Sequence, residues 1–355
     1  MLRLMPKDRT IAARPVSPGK GDWMNKLSWL RLDSFTLAIA AVVLLALVLP
    51  CSGESARLVG IGSEIAIVVL FFLQGARVSR PAVLAGILHW RLHLIVLGAT
   101  FVVFPLLGLA MRPLSDTALA PPLYVGLLFL CTLPSTVQSS VVFTSIAGGN
   151  VPAALCSASL SSVVGMVVTP LLVGLLLQAE GGPSLNGVGT IVTHLLLPFL
   201  AGQILQPWLD GWLQRHRRVV GLVDRTAVLL MVYGVFSAAT LSGLWSRTSA
   251  ASLLVVALID GVLLAAMLAI TAIAARRFGF SREDEIAIVF CGSKKSLVTG
   301  ITMANVLFVG ASLGLVVLPL MIFHQLQLMV CATLARRYAL GQFARGVPAA
   351  RAARP

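Results

Sequence analysis

Charge is what this sequence has least of. Of its 355 residues only 11% are Asp, Glu, Lys or Arg, against about 25% in ordinary soluble domains, while 58% are hydrophobic and the mean hydropathy is +0.95. That balance excludes a soluble globular fold and predicts a polytopic membrane protein. Cysteine is scarce and odd in number: Cys51, Cys131, Cys156, Cys291 and Cys331 form no C-x-x-C pair and no disulfide framework, and read as buried thiols. No His, Cys or carboxylate spacing suits a metal. G-x-S-x-G and H-E-x-x-H are both missing, and Asp260 has no second membrane aspartate to pair with, so neither an intramembrane enzyme nor a cofactor is expected. No short signal-peptide core with a small-residue cleavage site precedes Phe35, so insertion is expected to use the first span itself.

What the chain does have is apolar runs. A helix needs about 20 apolar residues to cross the hydrocarbon, and by that measure ten segments qualify: 35–51, 59–75, 92–111, 121–147, 151–178, 187–208, 223–245, 251–275, 284–308 and 311–335. Basic residues set their direction. With a cytoplasmic N-terminus, every Lys and Arg outside the spans falls on the inside except Arg57, Arg112 and Arg247, which fits both termini in the cytoplasm and the inner membrane as location. The net charge of +14 is therefore a matter of topology, and no nucleic-acid partner is needed to explain it. Lipid is the partner that the spans imply.

"VVTPLLVGLLLQ" (Val167–Gln178) and "VVLPLMIFHQLQ" (Val316–Gln327) share a V-V-x-P-L core and a final Gln, in spans five and ten; "SSVVFTSIAGGN" in span four resembles "KSLVTGITMAN" in span nine. Five spans followed by five places the second half upside down. The expected fold is thus all-α, two inverted five-helix repeats over 35–178 and 179–336, flanked by a basic segment 1–34 and a tail 337–355.

Spans four and nine are interrupted. In span four Pro134 is followed by "STVQSS", with Ser135, Thr136, Gln138, Ser139 and Ser140 polar; in span nine "CGSKKS" places Gly292, Ser293, Lys294, Lys295 and Ser296 mid-run. Proline removes a backbone donor and glycine permits a non-helical turn. Backbone freed inside a membrane must face a cavity or other protein, and paired breaks in two halves mark a transport site. Half-helix N-termini there suit an anionic group, and C-terminal ends suit a cation.

The ten-span plan, with "LPSTVQSSVVFTSIAGGNVPAAL", "FCGSKKSLVTGI" and "FFLQGARVS" (Phe71–Ser79), resembles the bile acid:sodium symporter superfamily, and within it the SBF-like bacterial branch related to solute carrier family 10 member seven. The resemblance covers about residues 30–340. It implies a panel and a core domain, broken helices four and nine crossing in the core, and alternating access by movement of one domain against the other; the solute expected from the site itself is a small organic anion. It also implies a span-nine carboxylate for sodium. Registered on Gly292, that acid falls on Phe290, and Lys294 and Lys295 stand at the Gln and Asn of the family pattern; Ser139 and Ser140 stand near its span-four Ser-Asn pair. The family's sodium sites are not carried over.

Two unpaired cations in a membrane cost about 2.5–3.5 kcal/mol each. Three roles stay open. A lysine takes the place of a bound sodium, and since an ammonium taken out of water gives up its proton more readily, coupling passes from Na+ to H+. Or the pair grips the anionic substrate. Or one lysine pairs with Asp260 and the other reaches a crevice. Glu283, Asp284 and Glu285 are too far along span nine, about 13 Å at about 1.5 Å per residue, and Glu64 lies near one end of span two. His194 and His324 are read as packed hydrogen-bonding residues. A channel or a transporter-derived sensor is the alternative function.

Overall fold

A computed structural model of the chain describes residues 34–77, 89–114, 119–177, 195–243, 249–308 and 312–343. His194, the start of the sixth segment, the basic segment before residue 34 and the end of the tail lie outside the described residues. Those described form helices and no strands. We label them α1 (Ser34–Val48), α2 (Gly53–Arg77), α3 (Trp90–Gly98), α4 (Phe104–Ala110), α5 (Pro121–Thr132), α6 (Val137–Ile146), α7 (Val151–Leu177), α8 (Leu197–Arg215), α9 (Arg217–Leu241), α10 (Ala250–Arg277), α11 (Arg282–Gly292), α12 (Leu297–Leu307) and α13 (Leu313–Phe343).

Seven helical stretches among the described residues are long and apolar enough to cross a membrane, or eight when the bent pair α5–α6 counts as one. This is a multi-pass membrane protein. The expectation of ten spans is met only at that coarser level: α1 has 15 residues, below the length of a full span, and α8 carries Asp210 and Arg215 in its second half. The outward faces are apolar, with Leu44, Val48, Leu175, Leu254 and Val262 all exposed, as helices facing lipid require.

The helices pack as two sets. In one, α2 lies against α8 and α9, and α9 against α1; in the other, α10, α11 and α13 pack together and α11 against α3, α6 and α7. The sets meet where α9 touches α12 and α13. Within the first set the approach of α2 to α8 is reciprocal: a Cβ at Gly75 would meet the Phe199 carbonyl, and one at Gly202 the Phe72 carbonyl. Small residues let two backbones touch, which is how membrane helices associate without a hydrophobic drive. Gly75 belongs to the "FFLQGARVS" stretch, so that motif has a packing reason.

Two local departures from α-helix position the centre of the second set. Between α3 and α4 the turn Ala99–Val103 is π-helical, the N–H of Phe104 reaching the Ala99 carbonyl. The next residue is Pro105, which has no N–H. In i→i+5 geometry the carbonyl it leaves without a donor is that of Thr100. The second departure is the pair of breaks, four residues each, that separate α5 from α6 and α11 from α12; α5 and α6 bend by 63°.

Candidate functional site

The two breaks cross and hydrogen-bond to one another. Ser296 N–H donates to the Pro134 carbonyl at 3.0 Å, and Thr136 Oγ1 donates to the Lys295 carbonyl at 2.8 Å. The end of α11 is served by hydroxyls from the other break and the first turn of α6: Ser135 Oγ donates to the Cys291 carbonyl at 2.6 Å and Ser140 Oγ to the Phe290 carbonyl at 2.9 Å. Ser293 Oγ turns back onto its own helix, to the Val289 carbonyl at 2.6 Å. Ser296 caps α12, its Oγ accepting from Thr299 N–H at 3.3 Å and donating to Thr299 Oγ1 at 3.0 Å. From the other helix set, Gln74 Nε2 donates to that same Thr299 Oγ1 at 3.3 Å.

At the end of α5 a cation replaces the hydroxyls. Lys295 is fully buried, and its Nζ donates to the carbonyls of Thr100 at 2.9 Å, Cys131 at 2.9 Å and Leu133 at 2.7 Å. The first is the carbonyl that Pro105 and the π turn leave open. The other two belong to the C-terminal end of a half-helix, where orphan carbonyls and the dipole favour positive charge. The Phe104 ring lies 4.0 Å below the ammonium, adding a cation–π contact. Three N–H donors thus meet three oxygens, and none is left over. The backbone of Lys295 is held as firmly: its N–H donates to Gln327 Oε1 at 2.9 Å, and Gln327 Nε2 returns a bond to its carbonyl at 2.9 Å. His324 Nδ1 sits 2.9 Å from the same amide.

Lys294 goes the opposite way. It too is fully buried, but its Nζ has no hydrogen-bond partner; it rests 4.1 Å over the Phe143 ring and 5.3 Å from that of Phe290. Asp260 is also fully buried with both carboxylate oxygens unpartnered, so it is not the charge partner of either lysine. A structural ion pair requires contact, and the ammonium of Lys295 spends its donors on carbonyls. Glu64 is exposed. Of the span-four residues, Ser135, Thr136 and Ser140 join the crossing, Ser139 Oγ is buried without a partner, and Gln138 is exposed on the far face of α6. Sequence reasoning missed Thr100, Phe104 and Phe143. The π turn has no signature of its own in sequence beyond Pro105, and an aromatic ring in a span reads as packing.

Two interrupted helices crossing inside a multi-pass helical protein define the class as that of a membrane transporter. The chain matches the SBF-like CPA transporter family over residues 33–340, and it belongs to that family. It is 56% identical over 309 residues to protein PA2026 of Pseudomonas aeruginosa, covering 86% of this chain and 93% of that one. It is 50% identical over 308 residues to the Escherichia coli protein named "Putative symporter YfeH", with 86% and 93% covered. The sodium/bile acid cotransporter 7-B of Xenopus laevis is 30% identical over 319 residues, covering 88% of this chain and 93% of that protein. The kinship with the bile acid:sodium symporter superfamily expected from the motifs therefore holds.

Proposed function

We propose that this protein is a secondary active transporter of a small organic anion, working by alternating access, in which the Lys295 ammonium does the electrostatic work of a bound monovalent cation. The observation that carries the reading is the carbonyl cage: Thr100, Cys131 and Leu133 oxygens at 2.7–2.9 Å from Lys295 Nζ. Backbone carbonyls arranged this way replace the hydration shell of a monovalent ion in membrane proteins. Here the charge is covalently tethered, and the span-nine position of the family's sodium carboxylate is Phe290. Coupling to H+ rather than Na+ follows from a cation that can leave only as a proton. The anionic class of solute follows from Lys294, whose three N–H donors have no acceptor. The one-sided distribution of arginines supports both termini in the cytoplasm of an inner-membrane protein.

Uptake into proteoliposomes tests this, with a panel of anionic solutes under imposed sodium or proton gradients. Saturable counterflow is expected, driven by a proton gradient, unchanged when sodium is replaced by choline, and lost in Lys294→Met. Strictly sodium-dependent uptake that survives both Lys294→Ala and Lys295→Ala would sink the proposal, and flux without counterflow would identify a channel.

A further inference from the structure

The Lys294 ammonium, fully buried, lies against aromatic rings rather than against carbonyls. Phe143 of α6 and Phe290 of α11 lie directly over it. Tyr338 of α13 meets Phe290 edge-on, with ring centroids 6.1 Å apart. The neighbouring breaks are hydrogen-bonded to one another through main chain, which cannot swing aside as a side chain can.

Beyond Tyr338 stands one buried carboxylate. Glu285 is 5% exposed, and its Oε1 accepts from Arg276 Nε at 3.1 Å, Arg276 Nη2 at 2.9 Å, Arg282 Nη1 at 3.4 Å and the Tyr338 hydroxyl at 3.2 Å. Arg282 also lies 4.6 Å over the Tyr338 ring. One oxygen of α11 thereby ties α10 to α13, while Asn150 ties the α6–α7 junction to α11, its N–H donating to the Glu283 carbonyl at 2.9 Å and its Nδ2 to Asp284 Oδ1 at 2.8 Å. The Arg276 side chain is 61% exposed and that of Arg282 39%, so the guanidinium groups that hold the carboxylate also face outward.

We infer that Glu285, Tyr338 and Arg276 form a latch across an anion path that runs from the arginine-rich end of α10 and α11 to Lys294. The latch is built to respond to its own ligand class. An arriving carboxylate competes with Glu285 for the Arg276 and Arg282 guanidiniums, which bind planar oxyanions in a fork. Loss of that pairing frees the Tyr338 hydroxyl, and the Tyr338–Phe290–Phe143 stack can then turn off the ammonium. Glu285 is in this view a positioning residue that touches no solute. The direction of the path rests on the reading of Lys294 as the anchor of the anion, whereas the latch itself does not.

Native thiols report on both separately. Cys331 is fully buried in the same apolar cluster as Phe143, Phe290 and Tyr338. Full-length protein with Cys51, Cys131, Cys156 and Cys291 changed to Ala, in nanodiscs, is treated with anionic sulfonatoethyl or cationic trimethylammonioethyl methanethiosulfonate. Cys331 is expected to react slowly in this parent. Glu285→Gln and, as a milder change that keeps the ring, Tyr338→Phe are expected to raise its rate about tenfold through local opening, with the anionic reagent the faster. No acceleration in either variant, both still folded by thermal unfolding, overturns the latch. Acceleration with the cationic reagent equal or faster keeps the latch and overturns Lys294 as the anion's anchor.

Discussion

Lys294 and Lys295 are neighbours in sequence, equally buried, and opposite in circumstance. One ammonium has three carbonyl acceptors; the other has none. Replacing each by methionine, which is unbranched and one atom shorter and removes the charge, separates the two. Lys295→Met leaves three carbonyls unpaired in a low-dielectric interior and is expected to destabilise the protein by about 3–5 kcal/mol. Lys294→Met replaces an unpartnered charge by an apolar side chain among Phe143 and Phe290, and is expected to be neutral or to stabilise by about 1 kcal/mol or more. Thermal unfolding of the two variants in one detergent reads the difference directly. Equal losses from both would mean that Lys294 has a partner after all. A stabilising Lys294→Met would show that the fold does not require this lysine.

At the scale of elements, the interruption of two helices is a matter of where main-chain hydrogen bonds go. The break of span nine survives because the Gln327 side chain pairs with both the N–H and the C=O of Lys295, as a neighbouring strand would. Gln327→Leu leaves the Lys295 N–H unsatisfied and its carbonyl with the Thr136 hydroxyl alone, and is expected to cost about 1–3 kcal/mol, which urea or thermal unfolding measures. Both breaks were legible in the sequence, since Pro134 and Gly292 interrupt apolar runs and polar residues follow them. Ser135, Thr136 and Ser140 stood out in the sequence as candidates to bind substrate or ion; in the structure their hydroxyls donate to main-chain carbonyls of the other interrupted span. The aim of each side chain was not legible: adjacent residues in a non-helical turn point wherever the turn sends them, and the pairing of Lys295 with Thr100 depends on a π turn some 195 residues away in sequence. Asp260, considered because it lies mid-span, has no hydrogen-bond partner on either oxygen, and the Lys295 ammonium donates to carbonyls instead.

For the whole molecule, the apolar composition and the arginine distribution carried the class of protein, and short motifs carried the family. The number of full spans was harder to read, because apolar runs near the 20-residue threshold, such as α1, look like spans whether or not they form long helices. The two sets of helices meet where α9 touches α12 and α13 and are bridged by Gln74 and Thr299. A fixed cation, the Lys295 ammonium, stands at the crossing of the two breaks. The most direct test is thermal stability of the purified protein and of Lys295→Ala in choline, sodium and methylammonium chloride. The wild type is expected to unfold at the same temperature in all three salts. Lys295→Ala is expected to be destabilised and to recover part of its stability when methylammonium, or sodium, fills the vacated cage of Thr100, Cys131 and Leu133 carbonyls. Sodium-specific stabilisation of the wild type, with no loss of stability in Lys295→Ala, would contradict the account.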